Sequence, residues 1–227
     1  MNLLAIDAAC SALSVAVSRG RDFYYSQTDA GMKHSELVMD LINAQMEKAD
    51  FKPEDLNGIL CMGGPGSFTG LRIGFSIAKG LALGLCVPFA PVPTLECIAY
   101  SAIGLSLPVI QARKDAFFFS LFFDGRRLTE DSDGDIRQII EIIREKTRGN
   151  ESLNITGPAS SSIYAALPEE LRFLCICSCN SKGYAAELIN IAKKKELFYT
   201  DNTAYLFSGP EYIRKTDAEI NLLQKSV

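Results

Sequence analysis

The chain has 227 residues, 48% of them hydrophobic and 22% charged, an ordinary composition for a globular protein of one large domain or two lobes. A formal net charge of −4 argues against unaided binding of nucleic acid, because phosphate neutralisation needs clustered Lys and Arg. Seven scattered cysteines without a CxxC pair, and a single histidine, exclude the usual zinc spacings and predict reduced thiols in a cytoplasmic protein.

Leu3–Asp7 is a short apolar run ending in a carboxylate, which predicts a buried strand, and Asp7 cuts the run too early for a secretory signal. Leu13–Ser18 alternates and stops at the turn Arg19-Gly20, and Asp22–Thr28 is strand-like and aromatic. Leu37, Val38, Leu41, Ile42 and Met46 then fall at helical spacing, predicting a helix over Ser35–Ala49 with Ser35 as its cap. Gly58–Met62 is the next strand, followed by a Gly-rich turn and a helix over Gly70–Leu85. Val87–Pro91 is a strand, and Thr94–Ser101 a helix capped by Thr94. No stretch gives a clean membrane span, because Arg72 and Lys79 interrupt the most apolar one.

The second half is less regular. Phe117–Phe123 predicts an aromatic strand, Asp135–Arg148 a charged amphipathic helix, and Gly157-Pro158-Ala159 a turn. Phe173–Ser178 predicts a strand, with Cys175, Cys177 and Cys179 on one face. Gly183–Lys195 predicts a helix whose closing lysines suit its C-terminal dipole. No internal repeat is visible. A boundary near residue 102 divides the chain into lobes 1–102 and 103–227, and the tail after Ala218 either frays or packs back on the first lobe.

An antiparallel meander followed by alternating units predicts an α/β fold: mixed sheets flanked by helices. The order is the ribonuclease H-like topology of the group containing actin, sugar kinases and Hsp70. In such ATPases, a carboxylate at the position of Asp7 serves phosphate and magnesium. Here Ala8-Ala9-Cys10-Ser11 follows, with no glycine for close phosphate approach.

The segment Gly63–Gly70 can cradle an anion at a helix start, with Gly66 and Ser67 as the residues nearest it. It lacks the Lys of a P-loop and the spacing of a nucleophile elbow, so a tight strand-to-helix connection is the competing reading. After it, Gly70, Gly74, Ala78 and Ala82 recur every four residues, and Gly80 and Gly84 add a shorter stripe. Each interior helical glycine costs roughly 0.5–1 kcal/mol against Ala. Close helix contact offsets that cost, and spacing alone allows either burial on the chain's own sheet or a partner interface.

Several segments together resemble the TsaB (YeaZ) family. Gly64-Pro65-Gly66-Ser67-Phe68-Thr69-Gly70-Leu71-Arg72-Ile73-Gly74 looks like its signature. Leu4-Ala5-Ile6-Asp7, His34-Ser35-Glu36-Leu37, Pro93-Thr94-Leu95-Glu96, Gly157-Pro158-Ala159 and Pro210-Glu211-Tyr212-Ile213-Arg214 resemble further landmarks. The chain departs from the family at Ala8-Ala9, where a Thr-Ser pair is usual. The resemblance implies an actin-like, two-lobed protein that is not itself an enzyme. It implies a scaffold for TsaD, the subunit that transfers a threonylcarbamoyl group to N6 of adenosine 37 in tRNAs reading A-starting codons. The ATPase TsaE joins through TsaD, and a homodimer through the same surface is the state expected without partners.

ATP and a metal ion are expected in the partner subunits, with no cofactor in this chain, only indirect contact with tRNA, and no membrane. The contact is expected on the first two helices, at Ser35, Val38, Ile42, Gly70, Ile73, Gly74, Ile77, Ala78 and Leu81. The alternative is a nucleotide-binding enzyme, sugar kinase-like or peptidase-like, acting at Asp7, Gly66 and Ser67.

Overall fold

The computed structural model describes residues 1–149, 151–179, 182–198 and 203–213. The first sheet contains β1 (Leu3–Asp7), β2 (Ala12–Arg19), β3 (Asp22–Asp29), β4 (Gly58–Gly64) and β5 (Phe89–Pro93), in the order β3-β2-β1-β4-β5. β1 to β3 form an antiparallel meander, and β4 and β5 add in parallel. The helices between them are α1 (His34–Lys48) and α2 (Phe68–Leu85), and α3 (Thr94–Ala99) follows β5.

The second sheet is built from β6 (Leu105–Arg113), β7 (Ala116–Phe119), β8 (Phe122–Phe123), β9 (Arg126–Arg127), β10 (Ser132–Gly134), β11 (Leu153–Thr156) and β12 (Cys175–Ser178). Its main path is β10-β7-β6-β11-β12, antiparallel for the first two pairings and parallel for the rest. This is the path of the first sheet again, so the two lobes share one topology although their sequences show no repeat. The helices here are α4 (Ile136–Lys146), α5 (Ser160–Ala166), α6 (Glu169–Arg172) and α7 (Ala185–Lys194).

Three apolar cores stack the molecule in five layers. Val38, Ile42, Phe75 and Ala78 of α1 and α2 pack on the outer face of the first sheet. Leu95 and Ile98 of α3, with Leu188 and Ile191 of α7, lie between Leu3, Leu60 and Val92 of the first sheet and Ile110, Phe118 and Phe122 of the second. Ile139, Ile143 and Ile163 of α4 and α5 cover the far face of the second sheet. The residue 102 boundary falls in the α3–β6 connection. Helix α7, which belongs to the second lobe by chain order, packs on β1, β2 and β4 of the first. Residues 203–213 also lie on the first lobe, whereas the segment after Ala218 and Arg214 lie outside the described residues.

Several boundaries differ from expectation for identifiable reasons. Ser35 does not cap α1: Lys33 is the N-cap residue and offers no side-chain bond, while Ser35 sits exposed in the first turn. Ser67 caps α2 instead, its Oγ accepting from Gly70 N at 3.2 Å. Thr94 is drawn away from capping α3, because its Oγ1 accepts from Gly64 N at 3.2 Å. The aromatic strand is broken between β7 and β8, where Ser120 and Leu121 bond to Thr129. By length and apolarity α2 could cross a membrane, but its Gly70, Leu71, Gly74, Phe75, Ala78 and Ala82 are buried within the fold.

Candidate functional site

Asp7 ends β1 at the centre of the molecule and is completely buried. Its Oδ1 accepts from Ala9 N at 3.1 Å and its Oδ2 from Tyr184 N at 2.7 Å. Beside it, Ser14 Oγ accepts from Ala185 N at 3.1 Å. Gln27 Oε1 accepts from Gly183 N at 3.0 Å, and Tyr25 OH donates to Gly183 O at 3.0 Å. The free amides at the start of α7 are thus held by side chains from β1, β2 and β3, the arrangement a helix N-terminus favours. Burial raises the Asp7 carboxyl to about 6, against the two amides that pull it down.

A cleft of about 900 Å³ opens between the lobes on the far side of Ala8. Ala9, Cys10 and Ser11 line it from the β1–β2 turn, Gly66, Ser67 and Thr69 from the start of α2, and Gln111 and Pro158 from the second lobe. Asp7 is not among its lining residues. Gly66 lies so close to Ala9 that a Cβ would stand 2.7 Å from the Ala9 carbonyl oxygen. Ser67 N donates to that same oxygen at 2.8 Å. Gly70 lies over Ala8 O, which a Cβ would strike. Gly63–Gly70 is therefore the tight strand-to-helix connection, clamped onto the β1–β2 turn by its own backbone. His34 is nearly buried at the rim, its Nε2 within 3.1 Å of Cys10 O. Burial, then the neighbouring Asp7 charge, holds the Cys10 thiol well above its ordinary pKa, which disfavours a nucleophilic thiolate. Among the described residues, no group of three or more His, Cys, Asp or Glu could hold a metal ion.

The nine residues expected at a contact surface divide by burial. Val38 and Ile42 are buried under α1 in the first lobe's outer core. Gly70, Gly74 and Ala78 are buried too, and a Cβ on Gly74 would touch Ala8 and Cys61 Cβ at 3.9 and 4.0 Å. The small-residue stripe thus lets α2 lie flat on its own sheet, and those five residues are buried within the first lobe. Ser35 is exposed, while Ile73, Ile77 and Leu81 are half-buried, touching the core below and showing apolar surface outward. Leu37 and Leu41 on α1, which share the helical spacing of Val38 and Ile42, do the same. The second stripe points outward: Gly80 and Gly84 are exposed, with open space where each Cβ would stand. Both charged residues of α2 are engaged on its other flank. Arg72 Nε donates to Tyr212 OH at 3.0 Å and Lys79 Nζ to Leu206 O at 2.9 Å, and Tyr212 stacks on Phe68 at 4.8 Å.

Two ribonuclease H-like units stacked through α3 and α7, with a cleft between them, define an actin-like two-lobed protein. A family model described as TsaD, tRNA N6-adenosine threonylcarbamoyltransferase, matches residues 24–136. The tRNA threonylcarbamoyladenosine biosynthesis protein TsaB of Bacillus subtilis is 32% identical over 157 residues, covering 65% of this chain and 68% of that protein. The TsaB protein of Escherichia coli is 35% identical over 102 residues, 45% of this chain and 44% of that protein. YeaZ from Pseudomonas aeruginosa shares the fold, with a TM-score of 0.74 at 19% identity over 93% of this chain and 99% of that one. The chain belongs to the TsaB family of tRNA threonylcarbamoyladenosine biosynthesis proteins.

Proposed function

We propose that this chain takes part in forming threonylcarbamoyladenosine on tRNA as a non-catalytic subunit, docking on TsaD through the outward face of α1 and α2. The observation that carries the reading is the uncharged face made by Leu37, Leu41, Ile73, Ile77 and Leu81 with the exposed glycines Gly80 and Gly84. Exposed helical glycines with nothing packed on them weaken the isolated chain, and close approach of a partner helix offsets that loss. A cluster of half-exposed Ile and Leu has the same logic. TsaE joins through TsaD, and the chain pairs with itself through the same face when TsaD is absent, since a face of this kind is self-complementary.

The transfer chemistry, its ATP and its metal ion belong to the partner subunits. The family's catalytic subunit binds metal through a pair of histidines, and this chain has one histidine. The net charge of −4 leaves tRNA contact mainly to the partners, and the scattered thiols fit a cytoplasmic complex. The test is Ile77→Arg, which puts a charge at the centre of the face without entering the buried stripe. Association with TsaD, read by calorimetry, should weaken at least about 30-fold, the value of roughly 2 kcal/mol at a central contact. Undiminished binding removes the assignment.

The 900 Å³ cleft is the one observation favouring the enzyme reading, since small-molecule sites have about that size. Calorimetry of the isolated chain with ATP and magnesium separates the two: tight binding there supports the enzyme, and its absence the scaffold.

A further inference from the structure

The inner face of the second sheet carries buried polar side chains. On β6, β11 and β12, Leu107, Val109, Leu153, Ile155 and Cys175 point into the α4–α5 core. The alternate positions mix polar residues with Pro108, Ile110 and Ile176: Ser106 lies opposite Asn154, and Thr156 opposite Ser178. That face turns toward α3 and α7, where the polar groups of the first sheet, Asp7 and Ser14, are already taken by the amides of Tyr184 and Ala185. A cavity of about 160 Å³ sits there, lined by Asn154, Thr156 and Ser178 from the sheet, Ser101 from the end of α3, and Glu187 from the first turn of α7. Two buried acceptors at this cavity, Asn154 Oδ1 and Glu187 Oε2, have no hydrogen-bond partner, and neither has Ser106 Oγ beside Asn154. Burial raises the Glu187 carboxyl above its ordinary value, opposed by its own backbone N–H and by Lys182, which does not line the cavity.

Unpartnered buried acceptors cost about 1–3 kcal/mol each, more when charged, so the two at this cavity call for a common donor or cation. The available atoms are one carboxylate oxygen, one amide oxygen and several hydroxyls. This is a hard oxygen set with a single negative charge, suited to an alkali ion or ammonium rather than to a soft or multivalent metal. The volume admits such an ion with part of its water shell and is too small for a nucleotide.

We infer that the cavity between the polar face of the second sheet and α7 is a binding site for a compact monovalent cation, held by Glu187 and Asn154. The inference is independent of the proposed docking on TsaD. The experiment is thermal unfolding of the full chain in potassium, sodium, ammonium and tetramethylammonium chloride at equal ionic strength. At least one compact cation should raise Tm saturably, by roughly 3–6 °C at ten times its dissociation constant, relative to tetramethylammonium. Glu187→Gln and Asn154→Leu should each abolish that rise. Equal Tm in all four salts, or a rise retained in both variants, overturns the site. Should a variant fail to fold, rubidium-soaked crystals of the unaltered chain decide: an anomalous peak beside Glu187 supports the site, and ordered water alone overturns it.

Discussion

Asp7 is a charged-type residue that the fold closes off completely. Its carboxylate accepts from Tyr184 N and Ala9 N and is closed to solvent. Its position at the end of β1 was legible from the apolar run before it. Its partner was not, because Tyr184 stands 177 positions away and no periodicity encodes a contact of that span. The pH consequence has a definite sign. A carboxyl at about 6 in the folded chain and 3.8 when unfolded binds its proton more readily in the fold, so its stabilising contribution is full below pH 3.8 and is lost as pH rises through 6. Asp7→Asn removes this dependence. The stability difference between the original chain and the variant should shift by roughly 2 kcal/mol between pH 4 and pH 7, favouring the original at acid pH; urea unfolding at the two pH values measures it. A pH-independent difference means that Asp7 titrates normally.

At the scale of the element, α2 carries two glycine pairs with opposite duties, and substitution should tell them apart. Gly70→Ala drives a Cβ into the Ala8 carbonyl and should destabilise the chain by well over 1 kcal/mol. Gly80→Ala and Gly84→Ala meet open space and should each stabilise the isolated chain by about 0.5–1 kcal/mol through helix propensity. The same two substitutions should weaken TsaD association if the outward face docks there, so stability and binding move in opposite directions. Thermal unfolding and calorimetry on one pair of samples read both. Ser67→Ala should cost about 1 kcal/mol through the lost cap. The four-residue spacing made both stripes visible in the sequence. It could not say which faced inward, because small residues suit a sheet below and a helix above equally, and only Ala8 and Cys61 under Gly74 decide it.

For the whole molecule, the first lobe was largely readable because β1 to β3 are short, regular and joined by tight turns. The second was not. β6 runs unbroken through Pro108 and carries Ser106 among apolar residues, two features that hide a central strand in the sequence. Its topological identity with the first lobe lies in the pairing order, which sequence similarity does not reach. The shared layer of α3 and α7 makes a clear prediction about cooperativity. Urea unfolding should give one transition, coincident by fluorescence of the eight tyrosines and by circular dichroism, because neither sheet keeps its inner face covered without the other. Two separated transitions require lobes that fold apart. The return of α7 to β1, β2 and β4 also sets the order in which the molecule can be finished. The first lobe's strands leave the ribosome early, but the helix that seals their inner face comes some ninety residues after β5. A nascent chain must leave part of that apolar face uncovered for the roughly ninety residues between β5 and α7, so chaperone capture should peak while the second lobe is being made and fall only when α7 emerges.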